Sequence, residues 1–260
     1  MRRFLTLCAA VAALSSMPIA AQQGRQGAPG PGGRGGPAGP PPSGRAQAPF
    51  DPAGYWVSLV TDDWRYRMLT PPKGNADYLP ANAEARRVMG EWDPAKDEAA
   101  GEACRGYGAG GVMRLPGRLH ITWENDNLLK MDLDAGTQTR RFQFGQAAPA
   151  APGEPTWQGT STARWMFPGG RGRGAPTNGQ LVVTTTRLRP GYLRKNGIPY
   201  GANATITEYF VRLVDDGQEY LAVTTMVDDP QYLALPYVKT YQYKKERDAS
   251  GWNPTQCVAR

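Results

Sequence analysis

RLHITWENDNLLKMDLDAGTQTRRFQF, residues 118–144, is the stretch from which the fold is read. Leu119, Ile121 and Trp123 fall on one side of an extended chain, and Arg118, His120, Thr122 and Glu124 on the other. After Asn125-Asp126-Asn127, the residues Leu129, Met131 and Leu133 again share a side. A period of two marks strands with one buried face, because successive side chains point to opposite sides of a sheet. Ala135-Gly136 has the length and chemistry of a two-residue hairpin turn into Thr137–Phe144. The stretch is therefore three strands joined by two tight turns.

Further strands are expected toward the C-terminus at Thr156–Met166, Gln180–Arg189, Asn203–Val214, Gln218–Val227 and Tyr237–Lys245. Asp215-Asp216-Gly217 supplies another hairpin turn. Toward the N-terminus, Tyr55–Val60 and Trp64–Leu69 read as two strands split by Thr61-Asp62-Asp63. Asn82 caps a helix that ends at Trp92, before Pro94. Ala85, Val88, Met89 and Trp92 lie on one face of it, which is expected to cover a sheet opening or edge. The reading is all-β: an antiparallel meander of eight to ten strands that closes into a barrel and so removes its edges, with one short helix. The barrel domain spans residues 49–260.

The chain ahead of it is different. Arg2 and Arg3, the apolar run Phe4–Leu14 and Ile19-Ala20-Ala21 form the three parts of an export signal, giving residues 1–21 as signal peptide. Residues 22–48 hold nine Gly, six Pro and three Arg without an acid, which reads as a disordered tether. The net charge of +7 suggests a nucleic-acid partner until it is located. Five of the 30 basic residues precede Asp51, the first acid, so 25 basic residues face 23 acidic ones in the remainder. A phosphate-backbone footprint needs its cations on the folded domain, so nucleic acid is excluded as a partner. No membrane span is expected, since the apolar run at the N-terminus is short and no later one approaches 18 residues. The expected location is periplasmic or secreted. With Cys8 inside the signal, Cys104 and Cys257 remain, and an oxidising compartment makes them one disulfide.

Gly54-Tyr55-Trp56 resembles the Gly-x-Trp that opens a lipocalin-type barrel, a resemblance that implies an indole closing the barrel floor. From Asp51 onward the chain also resembles a group of uncharacterised secreted bacterial proteins. That resemblance rests on Pro155–Gly159, Leu181–Thr185, Thr207–Phe210 and Asp228–Tyr232. It implies a lipocalin-like fold and an exported location, and carries no catalytic residue with it.

Chemistry is sparse. His120 is the only histidine, and no nucleophile elbow, zinc motif, phosphate loop or cofactor motif is present; neither metal nor cofactor is expected. Arg189–Asn203 is the densest polar connection, with Tyr192, Arg194, Lys195, Tyr200 and Asn203 as candidate ligand contacts and its cations hydrated at a rim. Trp157 and Trp165 are candidate pocket walls. The expected function is an exported small-molecule-binding barrel with an apolar or amphipathic ligand. The alternative is a barrel enzyme of isomerase, cyclase or hydrolase type, using His120 with Glu208 or Asp132. It requires His120 and Glu208 to share one cavity.

Overall fold

The structure, a computed structural model, describes residues 41–61, 64–145, 153–168 and 178–260. Residues 1–21 and most of the expected tether lie outside these. Among the described residues eleven strands are formed: β1 (Gly54–Leu59), β2 (Arg118–Asn125), β3 (Leu128–Leu133), β4 (Gln138–Phe144), β5 (Thr160–Met166), β6 (Gln180–Thr186), β7 (Gly191–Arg194), β8 (Ile198–Tyr200), β9 (Thr205–Asp215), β10 (Gln218–Asp228) and β11 (Tyr237–Glu246). Nine of them close a barrel in the order β1-β11-β10-β9-β6-β5-β4-β3-β2, sealed where β1 pairs with β2 from Gly54↔Ile121 to Val57↔Arg118. β7 and β8 form a separate hairpin outside the wall. The turn between β9 and β10 falls as read, with Asp216 and Gly217 both at positive φ, whereas β3 and β4 are joined by the four residues 134–137 rather than by Ala135-Gly136 alone.

Two expectations change. The meander is not antiparallel throughout, because β4 and β5 pair in parallel from Phe142↔Ser161 to Phe144↔Ala163. A parallel pair requires a connection that brings the chain back along β4 before β5 starts, and residues 146–152 of that connection lie outside the described ones. Trp64–Leu69 is not a strand. Both edges of β1 are taken by β11 and β2, so no edge remains for it. It turns over the barrel end instead as a short helix, α1 (Trp64–Arg67), with the Met68 N–H donating to the Trp64 carbonyl at 2.8 Å. The expected helix is present as α2 (Ala83–Glu91), with the Asn82 side chain accepting from the Ala85 N–H. A second, α3 (Pro94–Ala99), follows at once. Asp93 caps it and Pro94 occupies its first turn, so the proline starts a helix as well as stopping one.

The apolar faces point inward. Trp56, Leu119, Ile121, Leu129, Met131, Phe142, Phe210 and Tyr243 are among the fully buried side chains that fill the bore. The lodging expected for an apolar ligand is thus occupied by the protein itself. Outward faces carry charges such as Glu124 paired with Arg141 and Lys130 paired with Asp132, unlike the apolar band of a membrane barrel. Among the described residues, no helix is long and apolar enough to cross a membrane.

Both ends are covered. At one, the last residues of the expected tether dock onto the barrel: the Gly44 N–H donates to Asn127 Oδ1 at 2.7 Å, and the Trp165 indole donates to the Gly44 carbonyl at 2.6 Å. Glycine is required here, because a Cβ would overlap the Phe144 ring. At the other end, a cap forms from residues 64–116 and the β7–β8 hairpin, which packs against α2. The Cys104–Cys257 disulfide, with Cα atoms 5.1 Å apart, ties this cap to the C-terminal tail.

Candidate functional site

Among the described residues, one charged pair lies fully buried in the bore. Arg140 on β4 and Glu208 on β9 are both fully buried, and the guanidinium makes a bidentate contact to the carboxylate, with Nη1 to Oε1 at 2.9 Å and Nη2 to Oε2 at 2.5 Å. Thr185 accepts a further bond from Arg140 Nη2 at 3.3 Å and lies 2.8 Å from the Ser161 hydroxyl. Removing a charge from water costs several kcal/mol, so opposite charges with satisfied hydrogen bonds are the usual arrangement. Glu208 is therefore committed to Arg140.

His120 stands on the other side of the wall. Its ring stacks on Tyr55 with centroids 4.0 Å apart and the planes nearly parallel, and Trp252 meets it edge-on. Partial burial lowers its pKa below the ordinary value, and the neighbouring Asp132 works against that. Asp132 itself binds Lys130 and Thr139. The structure does not bring His120 and Glu208 together, because neighbouring faces of a strand wall point opposite ways. The cavity that the enzymatic reading requires is not formed by these two residues.

The segment expected at a hydrated rim is buried. Tyr192, Arg194, Lys195 and Tyr200 are all within the protein, and Tyr200 is fully enclosed. Asn203 alone of the segment's candidates is exposed, in the turn before β9. The reason is the apolar content between the polar groups. Leu193, Ile198 and Tyr200 join Ala85 and Met89 of α2 in a second core, and Gly197, at positive φ, lets Trp92 lie directly on the hairpin turn. Tyr192 donates to Asp97 of α3 at 2.9 Å, and Arg105 lies over its ring. Burial pushes the Tyr192 and Tyr200 hydroxyls well above their ordinary pKa. Asn196 donates to the carbonyls of Pro72 and Asn75, and Lys195 donates to Tyr107 at 3.2 Å. Trp157 is half-buried under the Arg189 guanidinium, whereas Trp165 is core at the opposite end of the barrel, stacked on Phe144. The proposed aromatic and loop contacts do not meet in one place.

What meets at the capped end is a set of arginines. Arg67 ends α1, Arg114 ends the single helical turn Val112–Arg114, and Arg194 ends β7. Each is less than 5% exposed. Arg67 Nε donates to the Arg114 carbonyl at 3.1 Å, and Arg114 Nη1 donates to the Tyr66 carbonyl at 3.0 Å. The Arg194 guanidinium lies 4.9 Å from the centre of the Tyr66 ring, and that of Arg67 lies 5.4 Å from the centre of the Tyr241 ring. Burial lowers the Arg114 pKa, and the Arg194 and Arg67 charges add to that against the phenols of Tyr241 and Tyr237. Among the described residues, no carboxylate lies within ion-pair distance of any of the three. Arg67 Nη2, Arg114 Nε and Arg194 Nε and Nη1 are buried donors without a partner. A cleft of about 230 Å³ reaches Arg67 and Arg114, with Tyr107, Lys195 and Thr255 also in its wall.

The chain matches no family model, no curated protein and no solved structure. Trp56 is fully buried, its indole donating to the Pro52 carbonyl at 2.9 Å. The barrel has nine strands, where lipocalins have eight.

Sequence reasoning missed Arg67 and Arg114. Arg67 was hidden in a segment read as a strand, and Arg114 stands alone beside Met113 and Leu115. One signal was present for Arg114: it is flanked by apolar residues and has no acid within helical reach, whereas Arg67 has Asp63 four residues before it.

Proposed function

We propose that the protein is an exported small-molecule-binding β-barrel whose ligand sits between barrel and cap rather than in the bore. One observation carries this reading: Arg194, almost wholly buried, has two guanidinium donors without a protein partner. A buried donor left unpaired is expensive, and natural proteins rarely keep one unless something else supplies the acceptor. The cleft beside Arg67 and Arg114, which Arg194 itself does not line but its neighbour Lys195 does, is the entrance this reading assigns. The disulfide between cap and tail favours an oxidising compartment, in line with the export signal read at residues 1–21.

Native mass spectrometry of the protein purified from the exported fraction tests both parts. A chain beginning near Gln22 with an added small-molecule mass is expected. A mature chain that keeps Arg2 and Arg3 would refute export. A bare chain mass under gentle ionisation, together with no thermal shift from any of a broad ligand set, would refute binding.

A further inference from the structure

We infer that the site between barrel and cap binds an oxyanion, a phosphate or sulfate group, in the grip of Arg67, Arg114 and Arg194. This rests on the reading of the protein as a small-molecule binder and names the chemistry of its ligand. Three guanidinium charges are gathered in a volume screened from water, and no carboxylate is in contact with them among the described residues. Arg140, buried in the same molecule, has its carboxylate. The difference calls for an anion from outside the described residues.

The donor set specifies the anion further. Four guanidinium nitrogens are unsatisfied, on three side chains from different elements: α1, the turn before Leu115, and β7. A tetrahedral oxyanion offers acceptors in several directions and up to two charges, whereas a carboxylate offers one charge in one plane. The remaining valences of two of the arginines are fixed by backbone carbonyls: Arg67 by Leu59 and Arg114, and Arg114 by Tyr66. Such bonds hold a guanidinium in place before the ligand arrives, which lowers the entropy lost on binding. Tyr66 and Tyr241 carry the flat faces of Arg194 and Arg67. Lys195, whose ammonium contacts Tyr107, adds a fourth cation at the cleft wall.

The test uses the full mature protein, exchanged into chloride buffer at constant ionic strength. Inorganic phosphate and sulfate are titrated by calorimetry and by thermal unfolding, with acetate and additional chloride as comparison anions. Phosphate or sulfate is expected to raise the unfolding temperature, with acetate weaker and chloride inert. Arg194→Met is expected to weaken oxyanion binding by about tenfold or more, since it removes two charge-assisted bonds. Arg141→Met, at an exposed pair with Glu124, leaves it unchanged. Broadening of the phosphorus resonance of phosphate by the wild-type protein, reversed by sulfate, provides a measurement that needs no variant. Equal responses to chloride and to both oxyanions, with no broadening, would overturn the inference. So would an Arg194→Met protein that folds and binds like wild type. A neutral ligand retained in native mass spectrometry would overturn the oxyanion while leaving the binding function standing.

Discussion

The two buried arginine sites of this protein solve the same problem in opposite ways. In the bore, Arg140 meets Glu208 across the barrel, and Thr185 adds a further acceptor. At the capped end, Arg67, Arg114 and Arg194 meet carbonyl oxygens and aromatic faces but, among the described residues, no carboxylate. The first site has its charge compensated within the chain, with only Arg140 Nε left without a partner, and belongs to the fold. The second is compensated only in part, and its remaining valence is available to a ligand. A buried charge is therefore informative only with its partners counted.

The contrast is sharpest in stability. Glu208→Ala leaves Arg140 buried and unpaired, and is expected to cost about 3–5 kcal/mol in denaturant unfolding. Arg194→Met in anion-free buffer takes away a charge that has no partner, and is expected to leave stability unchanged or raised. Equal losses in the two variants would erase the distinction between the sites.

The disulfide comes next. Replacing Cys104 and Cys257 with serine is expected to cost roughly 2–4 kcal/mol. The loss should concentrate in the cap, so hydrogen exchange in residues 64–116 should accelerate more than in β9 and β10. Uniform acceleration would mean that cap and barrel open as one unit.

Alkaline titration probes both regions together. Burial raises the pKa of Tyr192, Tyr200, Tyr241 and Tyr243 above the ordinary 10.0. A raised folded pKa gives stability that is complete below pH 10 and is lost as pH climbs through the folded values. Absorbance at alkaline pH should therefore show these phenols ionising late and together with unfolding. Ordinary, independent ionisation of every tyrosine would place them in water.

The smallest effect belongs to His120. Its lowered pKa means the unfolded chain binds the proton more readily, so stability falls as pH drops from the unfolded value near 6.5 toward the folded one. His120→Asn should flatten that slope slightly without touching ligand binding. A large loss of binding in this variant would bring the outer face back into the site.

Most of the barrel was legible in the sequence, and the site was not, for one physical reason. Strand periodicity and turn chemistry are local, so Leu119 to Leu133 and Asp215-Asp216-Gly217 declare themselves. The choice of strand partner is not local, which is why the parallel β4–β5 pair and the helical Trp64–Arg67 were missed. The Arg189–Asn203 segment stands out in the sequence for its cations, but its burial depends on α2 and on Gly197 beneath Trp92. Arg194 was therefore found for its charge and misplaced in its surroundings. Arg67 and Arg114 come from a different part of the chain, and only folding assembles the three.

The most direct test is an anomalous-scattering measurement on crystals grown without phosphate or sulfate and soaked in selenate, a tetrahedral oxyanion with a strong selenium signal. A selenium peak enclosed by the guanidinium groups of Arg67, Arg114 and Arg194, and absent beside Arg140, is the result this account predicts. Selenium found only on exposed arginines, with water or nothing at the capped end, would contradict it.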